Sequence, residues 1–332
     1  MNIQCFRSLA GLRSVFAMVL TASVMSSVHA IDTDPGDWTA PPPGTNLFLL
    51  YAQHANRNAL YTNGQQTPNA KLGSDVAILR YVRPVDVSGL IVAPQVLLPW
   101  ARLRTGGVVA GLGNASSTGD LILASPIWFA KAGTASRNSF SFAPYLVLPT
   151  GDYDKGQTLN IGENRWKAIF QFGGTYQLSK HIDAEGAIDA TLFGKNKDFG
   201  ASGADTLQQK PLYQLQGSLN WHQSPGTLFA VGLSHTFGGV QKVNGVSLNN
   251  EMATTKMALT ASTFVSPSLQ VLVSVGRDLK VENPSTQFTS PTGTPSSQAM
   301  KLATVGRAAM SSHKRALTPA ASGSPPPMGS WA

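Results

Sequence analysis

Six stretches in the second half of the chain alternate apolar and polar side chains for about ten residues each. In 166–178, Trp166, Ala168, Phe170, Phe172, Tyr176 and Leu178 share one face, against Lys167, Gln171, Thr175 and Gln177 on the other. In 182–192, Ile182, Ala184, Ile188 and Leu192 oppose Asp183, Glu185, Asp189 and Thr191. Gln214, Gln216 and Asn220 oppose Tyr213, Leu215, Leu219 and Trp221, and Lys256 opposes Met257 and Leu259. The stretches 229–237 and 269–276 repeat the pattern. Successive side chains of a strand point to opposite faces, so this period of two builds a sheet with one apolar and one polar surface.

A soluble sandwich shows the same alternation with its apolar face turned inward. Three features favour a membrane barrel. The stretches approach the ~9–11 residues that cross a bilayer at a tilt. Aromatics (Trp166, Tyr176, Tyr213, Trp221, Phe237) fall near the ends of the apolar faces, as in an interfacial girdle. The connections also alternate in length. Long links at 56–74, 104–119, 150–165, 194–209 and 238–254 interleave with short ones at 83–88, 132–138, 179–181, 222–226 and 266–268. Short turns on one side and long loops on the other are the barrel arrangement, and place the N-terminus on the short-turn, periplasmic side. Composition agrees: the chain is 42% hydrophobic yet only 13% charged, against about 25% charged in soluble domains.

The first thirty residues read as an export signal, with Arg7 and Arg13 before an apolar run at 15–24 and cleavage after Ala30. The run falls well short of the ~20 residues of a spanning helix. The single cysteine, Cys5, lies in this segment, so the mature chain offers no disulfide or thiolate site. The formal charge of +8 is uneven: two charges leave with Arg7 and Arg13, and four sit at Lys301, Arg307, Lys314 and Arg315. The remainder carries no basic patch of the kind nucleic acid requires.

The first half is less regular. The stretches 90–100, 121–130 and 140–148 are apolar on both faces and are interrupted by Pro94, Pro126 and Pro144. Either they pack in the ordinary way, which is the simpler expectation, or the Pro-rich segment 32–44 covers them from inside. The division that follows is a signal at 1–30, a periplasmic Pro/Gly-rich segment at 31–45, a barrel at 46–283 and a low-complexity, disordered tail at 284–332. The expected fold is all-β, an antiparallel transmembrane barrel of about twelve strands. Only about eleven strands are clear, whereas bacterial barrels close with even numbers. Residues 298–305 make a poor twelfth, which points to a frameshift or truncation near residue 284.

Several ordered motifs carry a resemblance. Asp34-Pro-Gly-Asp37, Pro42-Pro-Gly-Thr-Asn46 leading into Leu47-Phe-Leu-Leu-Tyr51, Gly119-Asp120, Pro149-Thr-Gly-Asp-Tyr153, Asn160-Ile-Gly162 and Asn164-Arg-Trp166 are similar to those of the meta-pathway phenol-degradation proteins. The similarity runs over about 34–282. It implies an outer-membrane barrel, assembled by the barrel-assembly machinery, that passively takes up phenol-like or other small hydrophobic molecules. The family has no catalytic residues to carry over, and its barrels usually end in a strand with a terminal aromatic, which this chain lacks.

Beyond that resemblance, the polar faces nominate lumen-lining residues that would meet a solute: Lys167, Gln171, Asp183, Glu185, Asp189, Gln214, Gln216, Asn220 and Lys256. Asp183, Glu185 and Asp189 share one strand face and could select cations, but a wall paired with Lys167 is the better expectation. Asp152 and Asp154 lack the rest of a calcium loop and read as turn residues, as do Asn63-Gly64 and Asn244-Gly245. The histidines show no metal spacing, and no Gly-x-Ser-x-Gly is present. Gly106, Gly107, Gly111 and Gly113 lie in a long loop and make no nucleotide site. No catalytic residue, metal or cofactor is therefore expected. The alternative to a channel is a non-transporting barrel with an envelope-structural or surface role.

Overall fold

The computed structural model describes residues 32–62, 65–129, 137–281, 287–289 and 297–305. Twelve antiparallel strands close into a barrel. They are β1 (Leu47–Thr62), β2 (Gln65–Val82), β3 (Gln95–Gly107), β4 (Ala115–Thr118, resuming at Ile122–Ala124), β5 (Ser139–Val147) and β6 (Lys167–Gln177). After them come β7 (Ile182–Phe193), β8 (Leu212–Ser224), β9 (Thr227–Gly238), β10 (Met252–Ser266), β11 (Leu269–Val281) and β12 (Ser297–Val305). Each strand pairs with its sequence neighbours, and β12 closes the ring. Its residues 297–305 pair with Leu47–Ala55 of β1 on one edge, and 297–304 with Leu269–Gly276 of β11 on the other.

The expected gap after residue 283 is therefore corrected: the poor-looking 298–305 is the twelfth strand. Its own alternation is weak, but two open strand edges leave rows of N–H and C=O groups that it satisfies, joined at the far end of β1 by Gln287–Thr289. The expected signal at 1–30 and residues 306–332 of the expected tail lie outside the described residues, as do Asn63-Gly64 and most of the 132–138 link.

Loop lengths need two corrections. The link expected at 56–74 is strand instead, with β1 and β2 paired up to Thr62 and Gln65, so their hairpin stands above its neighbours. The short link expected at 83–88 runs over 83–94 and holds a small hairpin of Val85–Val87 and Leu90–Val92. At the other described links the two ends differ as expected. At the short-turn end, β8 and β9 are joined through Gly226, whose φ of +86° suits glycine. At the other end, Asn196–Phe199, Asp205–Gln209, Gln241–Val243 and Val246–Ser247 form a second, four-stranded sheet over the mouth, packed around Phe199, Leu207 and Val243.

The prolines mark the irregular wall. Arg83 N–H donates to Pro94 O and Ala93 N–H to Pro126 O, across breaks that need no proline N–H. Pro144 stays within β5, opposite the jog between Ala124 and Ile127, and its carbonyl accepts from Ser125.

The apolar face points outward. Phe170, Phe172, Ile188, Leu192, Leu215, Leu219, Val231, Leu233 and Leu259 are all exposed, whereas Gln171, Asp189, Gln214 and Asn220 are buried. A soluble sheet would reverse this, so the surrounding medium is hydrocarbon. Outward aromatics stack between strands, as Phe142 on Phe172 (centroids 4.6 Å apart) and Trp221 on Phe229 (5.7 Å).

Candidate functional site

The barrel lumen is filled by the chain's own N-terminal segment. Asp32 and the residues after it do not stay outside the barrel as a periplasmic stretch. They lie within it and reach β1 through Gly44, whose N–H donates to Pro84 O. The segment has no periodic structure and is held by side chains of the wall. Lys256 Nζ lies 2.5 Å from Asp32 Oδ2, and Gln214 Nε2 donates to Asp32 Oδ1 (2.9 Å). Thr33 donates its N–H to Gln216 Oε1 (2.9 Å). Gly36 N–H is shared between both oxygens of Glu185 (3.1 Å each). Lys301 Nζ bridges Asp34 (3.2 Å) and Asp37 (3.0 Å). Trp38 O accepts from Trp128 Nε1 (2.9 Å) and Ser139 Oγ (2.6 Å).

Trp38 is 4% exposed, and its ring lies against β6 where Gly173 has no side chain. A Cβ at Gly173 would sit 2.5 Å from the ring, far inside contact distance. Glycine at this inward position is what admits the indole. The internal cover that the sequence left as the less simple option is thus the arrangement found, with ordinary packing superseded.

The nine nominated residues all stand on the inner face, but they serve different neighbours. Gln214, Gln216, Glu185 and Lys256 hold the segment, as above. Asp189 accepts from Gln216 Nε2 (3.3 Å). Gln171 lies near Tyr145 Oη (3.5 Å), and Asn220 accepts from Ser218 Oγ (2.9 Å). Lys167 does not pair with the carboxylates of β7. It sits at the long-loop end, 2.5 Å from Glu163, whose other oxygen receives Arg165 (2.8 Å). Asp183 is at the opposite end, held by Arg137 (2.8 Å) and His222 (2.6 Å). Strand register separates them: Lys167 faces Phe193, whereas Asp183 faces Gln177. The nominations missed Lys301, Asp32, Asp34, Asp37 and Trp38. Their only signal was an acidic, tryptophan-bearing stretch beside a lysine in an unpromising strand.

The lumen wall is two-sided. Polar groups dominate β6–β8. On β2 and β3, Leu72, Val76, Ile78, Leu97, Pro99, Ala101 and Leu103 share the inner face and form a largely apolar strip, interrupted by Ser74 and ended toward the short turns by Arg80, which donates to Gln95 and Tyr51. At the long-loop end the strip enters a buried cluster of Leu60, Ala70, Leu72, Leu103, Val109 and Leu159. Toward the short-turn end lies a second cluster of Val82, Ile91, Ala93 and Trp128, with Ala40 of the inner segment packed on it.

Among the described residues no three His, Cys, Asp or Glu side chains converge as metal ligands. His54 is oriented by Asp75 (2.6 Å), but Asn56 Nδ2 lies at its Nε2 (2.8 Å), where a hydrolase would place a hydroxyl.

Comparison with known proteins bears on this architecture. The crystal structure of the COG4313 outer membrane channel from Pseudomonas putida F1 aligns over 83% of this chain and all of that one, with 32% identity and a TM-score of 0.76. The Bordetella autotransporter BrkA β domain (10% identity, TM-score 0.46, 79% of this chain and 98% of that) is a much weaker likeness. So is a TodX monoaromatic hydrocarbon channel mutant (11%, 0.44, 80% and 90%). At these values neither bears on function. No curated protein matches the chain. The family described as the MetA-pathway of phenol degradation (Phenol_MetA_deg) matches residues 57–290. On that match and the identity to the Pseudomonas channel, this outer-membrane barrel belongs to the MetA-pathway phenol-degradation family.

Proposed function

We propose that the protein is a passive outer-membrane channel for small hydrophobic or aromatic molecules, such as phenols. The observation that carries this reading is the apolar strip from the Leu60–Leu72–Leu103 cluster down β2 and β3. A hydrophilic solute crossing the lumen would exchange water for hydrogen bonds with the wall, but the polar groups of β8 and β10 are occupied by the inner segment. An apolar solute needs no such partners and gains from leaving water, roughly 25 cal/mol per Å² of surface covered. The strip offers it a surface while the ion-paired segment blocks bulk water and ions. The similarity to an outer membrane channel supports the transport role, and the family's phenol-degradation description supports the substrate class.

The test is to make the strip polar at its outer end. Leu72→Asn and Leu103→Asn, expressed in a strain lacking the chromosomal gene, are expected to slow uptake of labelled toluene severalfold relative to wild type. Uptake unchanged by both substitutions would reject the strip as the path. A barrel that left aromatic uptake equal with and without the protein would instead be the non-transporting envelope protein.

A further inference from the structure

On the outer wall, the apolar band changes height around the barrel. Along β6 the outward positions from Trp166 to Leu178 are apolar throughout, about 40 Å of strand at ~3.3 Å per residue. Along β1, β2 and β3 the apolar positions are only Phe48–Leu50–Ala52, Tyr81–Leu79–Ala77 and Val96–Leu98–Trp100. On these strands that is about 13 Å, continued toward the short-turn end by exposed Val87 and Leu90 of the 85–92 hairpin, so on this wall the band stops low on the long-loop side. The next outward row is polar and runs without a break across neighbouring strands: Gln298, His54, Asp75, Arg102 and Ser116. Above it come Asn56 and Arg104, then Lys71.

The charges in this shelf do not cancel. Asp75 is the acid of the cluster, and it is neutralised by Arg104 at 2.6 Å. Arg102 and Lys71 are exposed, and among the described residues neither has a carboxylate within ion-pair distance. Two bare cations above the outward apolar rows of β2 and β3 need a counter-charge brought to them. They stand on the half of the barrel nearer the long loops, the outer leaflet in the orientation read from loop length. Anionic headgroups are the charge available there, and Arg and Lys suit phosphate. We propose that the β1–β3 shelf binds the phosphates of an anionic outer-leaflet glycolipid through Arg102 and, four residue positions (~13 Å) further up the wall, Lys71, with Trp100, Leu98 and Leu79 against its acyl chains. The short apolar band sets the headgroup lower at this wall than around the rest of the barrel. The inference is independent of what the lumen carries.

The test uses the full mature protein in detergent and follows lipid binding by native mass spectrometry. The probes are bis-phosphorylated lipid A and the same lipid with its phosphates removed. Wild type is expected to bind the phosphorylated form about tenfold more tightly. K71Q/R102Q should lose most of that preference while binding the dephosphorylated form unchanged. Equal binding of the two lipids by wild type, or a double variant indistinguishable from wild type, would overturn the proposal. Complete displacement by excess inorganic phosphate would make the shelf a simple anion site and overturn the lipid assignment. Both residues point out of the wall, so folding should persist, checked by heat-modifiable migration. If the double variant does not fold, K71Q alone carries the test with a loss of about threefold.

Discussion

Gly173 and Trp38 show how one residue decides whether the lumen is closed. The indole lies where any Cβ on β6 would stand, 2.5 Å from it. Gly173→Ala should therefore expel Trp38 and, with it, the hydrogen bonds that Trp128 and Ser139 donate to its carbonyl. The barrel ladder is untouched, so the variant should migrate as a folded barrel yet show a several-fold higher single-channel conductance. A conductance equal to wild type would mean that the indole is not what closes this level. Lys301 is the matching electrostatic position. It is 7% exposed and bridges Asp34 and Asp37. Lys301→Gln leaves those carboxylates facing each other, at a cost on the order of 2 kcal/mol, below a fully buried pair because both acids keep some water. Frequent opening events in planar bilayers are the expected sign.

Among the elements, β6–β8 were legible because each carries its own pattern: mostly polar or small residues at the buried alternate positions and apolar ones between. Nearly all nominated lumen residues came from these strands, and all of them point inward. Two elements were not legible, for different reasons. β12 (SQAMKLATV) has only Met300 and Leu302 as large apolar residues on its outward face and one buried lysine opposite, too little pattern to stand out, and it is strand because β1 and β11 each present an edge to it. The segment from Asp32 onward has no period because its conformation is set by Lys256, Gln214, Glu185 and Lys301, contributed by four different strands. No local pattern encodes contacts 149 to 267 residues apart, from Gly36–Glu185 to Asp34–Lys301. The role of β12 makes a direct prediction. A chain ending at residue 283 should leave β1 and β11 with open edges and fail to form the heat-modifiable species, because unsatisfied backbone groups are not tolerated in lipid. A folded, membrane-inserted truncation would contradict the closure described above.

At the scale of the whole molecule, the barrel is asymmetric inside and out. The β6–β8 wall is apolar toward lipid and mostly polar toward the lumen. The β1–β3 wall is cationic-topped toward lipid, and its inner face on β2 and β3 is largely apolar. An inner segment tied by ion pairs fits between these halves, and it is expected to hold back water and ions while an apolar surface persists along one side. Removing residues 32–44 should then open the barrel to small hydrophilic solutes, seen as swelling of proteoliposomes in a sugar to which the intact protein is closed. The claim that unites these features is selectivity for apolar solutes, and one comparison tests it most directly. A deletion strain, with and without the restored gene, would be given labelled toluene and a labelled monosaccharide in the same experiment. This account predicts that restoring the gene speeds toluene entry and leaves sugar entry unchanged; sugar entry rising as much as toluene, or neither rising, would contradict it.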